Sequence, residues 1–438
     1  MIEQQKRAIS IDVWKQYKKH KAGLAAIYIL AALIIIALFA DVIANDQPLY
    51  ARYRGQNLYP AFSSGTLITT NPKTGKNEKL QYDITDWRAL KLDGVLWAPI
   101  PYSPGRSDPY NRGYRAPGDR QAYKNENGDI VEIPGRFRHF LGTDQIGQDV
   151  AAVIIHGTRV SLSIGIVAVG IAAVIGITLG AIGGYFGDHS LRKNRMEYWL
   201  FIAGLFLGYF YAFTVREHVL KEAMETSFLR AIGEFIVSIF IFISIPLLLS
   251  QAGRLLSRFS SKKVEVPMDN LISRSIEVVD SLPKLLIILT LASLLEEKSI
   301  YTVMIIIGLT SWTGIARFTR ADFLRNRNLN YVESAKGLGY SDSRIIFSHI
   351  LPNAMAPVYV SIAFGISSAI LIESSLSFLG IGVPRDKVTW GSMLYAGQQN
   401  VSAWWLIVFP GIAIFITVTV FNLMGEGLRD ALDPKLKR

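Results

Sequence analysis

The sequence predicts an all-α polytopic membrane protein with a small β-rich domain on one side of the bilayer. Three observations lead there. Several apolar runs reach or approach the roughly 20 residues that cross a bilayer. Half of the 438 residues are hydrophobic, and the mean hydropathy of +0.28 is high for a soluble chain. Lys and Arg gather at the ends of the apolar runs, as they do where a membrane protein returns to the cytoplasm. The net charge of +11 therefore reports orientation, and no nucleic-acid partner is expected. The absence of cysteine excludes disulfides, iron–sulfur clusters and thiol catalysis, and leaves the redox compartment unread.

Residues 1–21 are polar and basic, with Lys15, Lys18, Lys19 and Lys21 just before the apolar run Ala22–Ala40. That run exceeds the roughly 7–15 apolar residues of a signal peptide, so 22–45 reads as a retained first transmembrane helix with a cytoplasmic N-terminus. Ala44 keeps cleavage open as an alternative. Residues 46–149 are soluble in texture and lie outside the cytoplasm in this topology. Thr66–Thr70 and Lys79–Ile84 flank Asn-Pro-Lys-Thr-Gly-Lys as a hairpin with a longer turn. Asn127-Gly128-Asp129 turns into a strand at Ile130-Val131. The Pro-rich segment from Trp97 to Tyr102 suits an extended run packed on a surface. This β-rich insert is either an ordered decoration or a docking surface for a solute-binding protein.

Leu141-Gly142-Thr143-Asp144 followed by Gly147-Gln148-Asp149-Val150 reads locally as a turn with a helix cap. It opens the region 150–190, where Ser163–Phe186 is a membrane helix. Gly176, Gly180 and Gly184 fall four apart there, a smooth ridge of the kind that lets helices approach closely. In 191–266 two apolar runs, Met196–Val215 and Phe228–Leu249, are joined by the charged connector Arg216–Thr226. Basic clusters at Arg192–Arg195 and at Arg254, Arg258, Lys262 and Lys263 place both outer ends inside, so the segment reads as an inserted transmembrane hairpin. Glu234 would be costly in lipid and should face protein or the interface.

The remainder, 267–438, carries apolar runs at Leu285–Leu295, Ile300–Ile315, Ala354–Ile372 and Trp404–Met424, with an outer turn at Glu296-Glu297-Lys298. Between them lies a polar cytoplasmic loop, 317–350, opened by Arg317, Arg320, Arg325 and Arg327. Within it Asn330 can cap a short helix, with Glu333 three residues on as in a capping box. Gly339 suits the left-handed residue that ends such a helix, and Ser341 can cap a second helix running towards Pro352. Read without context, this is a cytoplasmic loop with two capped helices.

Glu333-Ser334-Ala335, three residues, Gly339, and later Leu351-Pro352 resemble the "EAA" loop of ABC-importer permease subunits. Ser334 replaces the family's second alanine. His349 replaces an aliphatic residue, and a His before an aliphatic residue and Leu-Pro-Asn resembles the peptide/nickel branch. The turn at Leu141–Val150 is similar to the family's LGTD…GRD segment, with Gln148 in place of arginine, and Gly157–Ser163 continues the match. Ile276–Pro283, Glu373 before Leu376-Ser377-Phe378-Leu379-Gly380, Trp390–Leu394, Phe421-Asn422-Leu423, Gly427–Asp430 and Leu432-Asp433-Pro434 extend it. The resemblance spans roughly Phe140 to Arg438, interrupted by the hairpin. Glu373 qualifies as a functional acid or as a polar contact between subunits.

The resemblance implies a type I ABC-importer permease fold of about six family helices plus the hairpin, in a subunit similar to the C-type permease of oligopeptide or dipeptide systems. It implies a homologous permease partner, two ATPase subunits or domains, an extracytoplasmic solute-binding protein, and a multi-pass place in the bacterial inner membrane with both termini cytoplasmic. By the same resemblance Tyr331, Glu333, Ser334, Ala335, Gly337, Gly339, Tyr340 and Ser341 contact the ATPase, and His349, Leu351, Pro352 and Asn353 return the loop to the membrane. Membrane lipid surrounds the chain. Residues touching the cargo are not assigned. No catalysis, metal or cofactor is expected: Gly75-Lys76-Asn77 lacks the Ser or Thr and the upstream Gly of a phosphate loop, and neither H-E-x-x-H nor G-x-S-x-G occurs. The competing class is a secondary carrier, or a scaffold or receptor with an outer sensor domain; a carrier would show internal repeats and paired broken helices.

Overall fold

Seven helices among the described residues are long and apolar enough to cross a bilayer: Lys21–Leu38, Val150–Phe186, Arg195–Thr214, Gly233–Leu256, Ile300–Asn326, Asp342–Phe378 and Trp405–Leu432. A shorter apolar helix, Lys284–Leu294, precedes the fifth. The computed structural model describes residues 13–63, 65–70, 77–82, 84–90, 92–124, 129–226, 228–256, 262–294, 299–382 and 387–432. The turn 71–76, the Asn127-Gly128 turn, the outer turn Glu296–Lys298, Arg258 and the tail from Asp433 lie outside the described residues. The expected class holds: among the described residues the chain has five long helices and one short one besides an inserted pair of long helices, and short strands lie in the insert. The chain divides into two compact units.

The first unit comprises Met1–Thr178, Val278–Thr319 and Pro352–Arg438. Its insert is built from small antiparallel sheets. Gln56–Leu58, Tyr50–Tyr53 and Gly94–Leu96 form one, with Ala51 opposite both Leu58 and Val95. Ala51, Tyr53, Leu58, Trp87 and Trp97 bury a core beneath it. Thr66–Thr70 pairs with Asn77–Gln81, so the second strand starts at Asn77 and ends at Gln81 rather than running from Lys79 to Ile84, and Ala122–Lys124 pairs with Ile130–Glu132, where a strand is expected. The segment Trp97–Tyr102 packs inward at Trp97, Ala98 and Tyr102, and Ile100 bridges Ala44 beyond the first helix.

Among the membrane helices of this unit, His20 starts Lys21–Leu38 by accepting the Gly23 amide on Nδ1 at 2.9 Å. The Tyr17 hydroxyl donates to Gly23 O at 3.0 Å, and the Tyr17 ring lies against Gly427 of Trp405–Leu432. On Val150–Phe186, a Cβ at Gly176 would lie 2.8 Å from Ile315 Cβ and from Trp312 O. Glu373 is fully buried in Leu351–Phe378. The Ser377 hydroxyl donates to its Oε1 at 2.9 Å, and the Thr389 hydroxyl, at the start of Trp390–Gln399, lies within hydrogen-bonding reach. The polar partners of Glu373 in this structure thus come from its own chain.

The second unit comprises Leu179–Glu277 and Arg320–Leu351. The hairpin's long helices, Arg195–Tyr209 with its wide turn Phe210–Thr214 and Phe228–Leu256, pack along each other, with Gly204 and Gly208 against Pro246. An antiparallel ribbon, Arg192–Asn194 with Lys263–Glu265, closes its base. Two acids of the hairpin, the buried Glu197 and the half-buried Glu234, each have a cation. Glu197 takes Lys193 at 2.7 Å and Arg254 at 3.3 Å. Glu234 takes the Arg216 guanidinium, whose Nε also donates to the buried Ser238 hydroxyl at 3.1 Å. Glu234 thus faces protein, as its cost in lipid required. The amphipathic helix Met268–Ser281 buries Ile272 and Ile276, and Asp269 forms a two-pronged ion pair with Arg320.

Candidate functional site

The loop is built from three devices that its residues dictate. Asn330–Gly337 is an eight-residue helix. Its N-cap is Leu329, without a side-chain cap, so Asn330 is the first helical residue rather than the cap that its side chain suggests. The Asn330 carbonyl accepts the Ser334 hydroxyl at 2.8 Å, and Tyr331 donates to Asn326 Oδ1 at 3.0 Å. The helix ends in a paired turn: Tyr340 N–H bonds Ala335 O at 3.2 Å and Gly339 N–H bonds Lys336 O at 2.9 Å. That turn requires the left-handed φ of +76° at Gly339, which a side chain would strain. Ser341 then caps the next helix, its hydroxyl accepting Arg344 N–H at 3.4 Å.

That second helix does not stop at Pro352. Asp342–Arg344 passes through a wide turn, Ile345–Ile350, and straight on into Leu351–Phe378. Leu351 N–H reaches back to Ile346 O, a five-residue step. A wide turn of this kind is one way for a helix to admit a proline, which has no N–H to give and whose ring would press on the preceding turn. Pro352 and Asn353 are exposed at the start of the membrane helix, and Leu351 is half-buried. The stretch 317–350 is consequently mostly helical, with non-helical links only at 327–329 and 338–341.

The short helix has two faces. Val332 and Ala335 are buried, as are Ile345, Ile346 and Ile350 of the wide turn. Glu333, Ser334, Lys336, Gly337 and Gly339 are exposed, and a Cβ at either glycine would meet nothing within 4 Å. Leu338 is 71% exposed and Phe347 65%, an apolar pair that no local pattern had flagged. Beneath this surface the unit is braced. Tyr185 donates to Asp342 Oδ1 at 2.6 Å, and Lys336 sits 5.5 Å from the Tyr185 ring centroid. Tyr340 stacks on His349 at 5.7 Å, with Arg344 over the Tyr340 ring at 4.3 Å. Gly180 is buried, and at Gly184 a Cβ would fall 2.5 Å from Phe323 Cβ and 2.6 Å from Arg320 O. The glycine ridge therefore seats helix Trp312–Asn326 of the same chain.

Residues 204–438 match the family described as binding-protein-dependent transport system inner membrane component, and residues 10–60 match the N-terminal TM domain of oligopeptide transport permease C. The chain belongs to the permease subunits of binding-protein-dependent ABC importers, in their oligopeptide and dipeptide branch. It is 31% identical over 304 residues to the di/tripeptide transport system permease protein DppC of Pseudomonas aeruginosa, covering 69% of this chain and 74% of that one. It is 26% identical over 426 residues to the inner membrane ABC transporter permease protein YejE of Escherichia coli, 96% of each chain. A peptidoglycan transport system permease protein YejE of Agrobacterium fabrum is 27% identical over 439 residues, 96% of this chain and 92% of that one. The protein is thus a multi-pass inner-membrane permease and not itself an enzyme, since ATP hydrolysis in such systems belongs to a separate subunit. The carrier and scaffold alternatives give way to this family.

Proposed function

We propose that the chain imports peptides, and that helix Asn330–Gly337 with its Gly339 turn is the surface on which an ATPase subunit docks. The observation that carries the coupling role is the split of the short helix: one face is fastened to its own unit, the other is left open and carries Glu333, Ser334, Gly337 and Leu338. ATP-driven closure of two ATPase subunits or domains would pull on this helix. Because Ser341 begins a helix that runs unbroken to Phe378, a pull at the loop is delivered to a membrane-crossing element rather than lost in a flexible link. A cavity shared with a homologous permease would then turn from inward- to outward-facing, to receive cargo from an extracytoplasmic solute-binding protein. The same orientation puts both termini in the cytoplasm. Peptide cargo rests on the dipeptide and di/tripeptide names of the relatives; the end-to-end alignment with a relative named for peptidoglycan makes peptidoglycan fragments the second reading.

The chain has no cysteine, so single-cysteine cross-linking is free of background. S334C and L338C should each cross-link to the co-expressed ATPase; failure of both, with the complex intact, rejects the docking surface. Gly339→Val should insert normally and leave ATP hydrolysis running while uptake collapses, because a β-branched residue does not hold the left-handed turn. Normal uptake by that variant counts against the docking role. Uptake of labelled dipeptides against labelled muropeptides separates the cargo readings.

A further inference from the structure

The turn Leu141–Asp149 encloses a cluster that the transport mechanism above does not use. The His139 ring is fully buried. Its Nδ1 lies 2.8 Å from Asp149 Oδ2 and its Nε2 3.2 Å from Asp108 Oδ2. Asp149 also receives the Ala152 amide on Oδ1 at 2.7 Å, which makes it the cap of helix Val150–Phe186. Asp108 belongs to the insert, and it takes the Tyr110 amide and the Asn111 side chain at 2.9 Å each. One imidazole therefore joins the insert to the first turn of a membrane helix.

A neutral imidazole has one N–H; the other nitrogen offers a lone pair. Between these two carboxylates, the neutral ring would turn a lone pair onto an anion at one side or the other, and only the imidazolium satisfies both. We propose that Asp108–His139–Asp149 is a proton-dependent latch: doubly protonated, His139 holds the insert to the start of helix Val150–Phe186, and loss of one proton lets that junction open.

The surroundings favour the charged ring. Burial opposes the charge, but hydrogen bonds and charge from Asp108 and Asp149 raise His139 above its ordinary value. Burial likewise opposes the Asp108 carboxylate, yet His139, Asn111 and the Tyr110 amide bring it below its usual range. Other groups packed here do not compete for the proton. Tyr102 stacks on the ring at 3.9 Å, donates its hydroxyl to Phe137 O, and is pushed up by burial, so it stays neutral. Arg88 lies 4.2 Å from the Tyr102 centroid. Gln121 pins the His139 backbone amide at 2.7 Å. Asp144, also raised by burial, spends one oxygen on the amides of Ile146 and Gln148. Arg138 points to the carbonyls of Gly118 and Asp119. The sign follows. The stabilisation from His139 is complete below about pH 6.5, its unfolded value, and is lost as pH climbs through the raised value. That from Asp108 is present above about pH 3.9 and is lost as pH falls through its lowered value.

The test is hydrogen–deuterium exchange of the amides 142–152 in the assembled transporter, corrected for intrinsic rates, from pH 6 to 9.5. Protection in the wild type should fall at least tenfold towards the alkaline end. Asp108→Asn, which removes one carboxylate and leaves the helix cap, should move the midpoint down by about one pH unit. His139→Gln should give exchange without a midpoint. Flat protection in the wild type, an unmoved midpoint in the Asn variant, or the same midpoint in the Gln variant overturns the latch. Each reading is independent of cargo and of ATPase docking.

Discussion

The turn Leu141–Asp149 and the loop Asn330–Ser341 both lead into long membrane helices, and both carry glycines at positive φ. They differ in what surrounds those glycines. A Cβ on Gly142 would strike Arg115 O at 2.5 Å and crowd Trp405, whereas one on Gly339 would meet nothing. In the turn, the Thr143 hydroxyl donates to Asn111 O, the Trp405 indole donates to Thr143 O, and both ring nitrogens of His139 face acids. In the loop, Glu333, Ser334 and Leu338 stand in the open. One segment is closed on itself and the other is unfinished. Substitutions in the two should separate accordingly: in the turn they break packing, and in the loop, under the docking proposal, they leave stability alone and act on coupling.

The largest effect on stability belongs to the turn. Asp149→Ala leaves His139 with one partner and the helix without its cap, and should cost about 3–5 kcal/mol, as breaking a buried ion pair does. Unfolding of the purified transporter in SDS reads this; a change under about 1 kcal/mol would place the turn with the ordinary surface. Gly184→Leu comes next. It drives a side chain into Phe323 and the Arg320 carbonyl and should cost about 1–3 kcal/mol, the usual range for overpacking. Retention of full stability would mean that the helix ridge is looser than its 2.5 Å approach implies. Leu338→Asp is smallest: stability should stay within about 0.5 kcal/mol, while uptake and ATPase retention fall together. A large loss of stability there would erase the contrast.

The membrane helices were legible because crossing a bilayer demands long apolar runs. The loop's turn was legible because Gly339 and Ser341 each have a local task. Its start was not. Asn330 suits a cap, but the helix begins at its own residue and its carbonyl serves Ser334. The residues carry the second helix towards Pro352 but do not show that it joins the membrane helix, because a proline normally interrupts the hydrogen-bond ladder; the wide turn Ile345–Ile350 precedes it without a break. His139 gave no signal. Its acids lie 31 residues before it and 10 after it, joined only by the fold. The Tyr185–Asp342 bond spans 157 residues and was beyond any local pattern. Leu338 was invisible for a different reason: an exposed leucine announces itself only once its neighbours are seen to leave it uncovered.

The ribbon Arg192–Asn194 with Lys263–Glu265 brings the two ends of the hairpin together. Asn194 lies opposite Lys263, and Arg192 opposite Glu265, so the chain enters and leaves this excursion at a single place. Its two ends already stand at the spacing of neighbouring strands, about 5 Å. The excursion is in that sense a detachable cassette. Cutting it out and rejoining Asn194 to Lys263 through a tight two-residue turn would bridge no distance that the protein does not already bridge, and would leave the chain on the same side of the membrane.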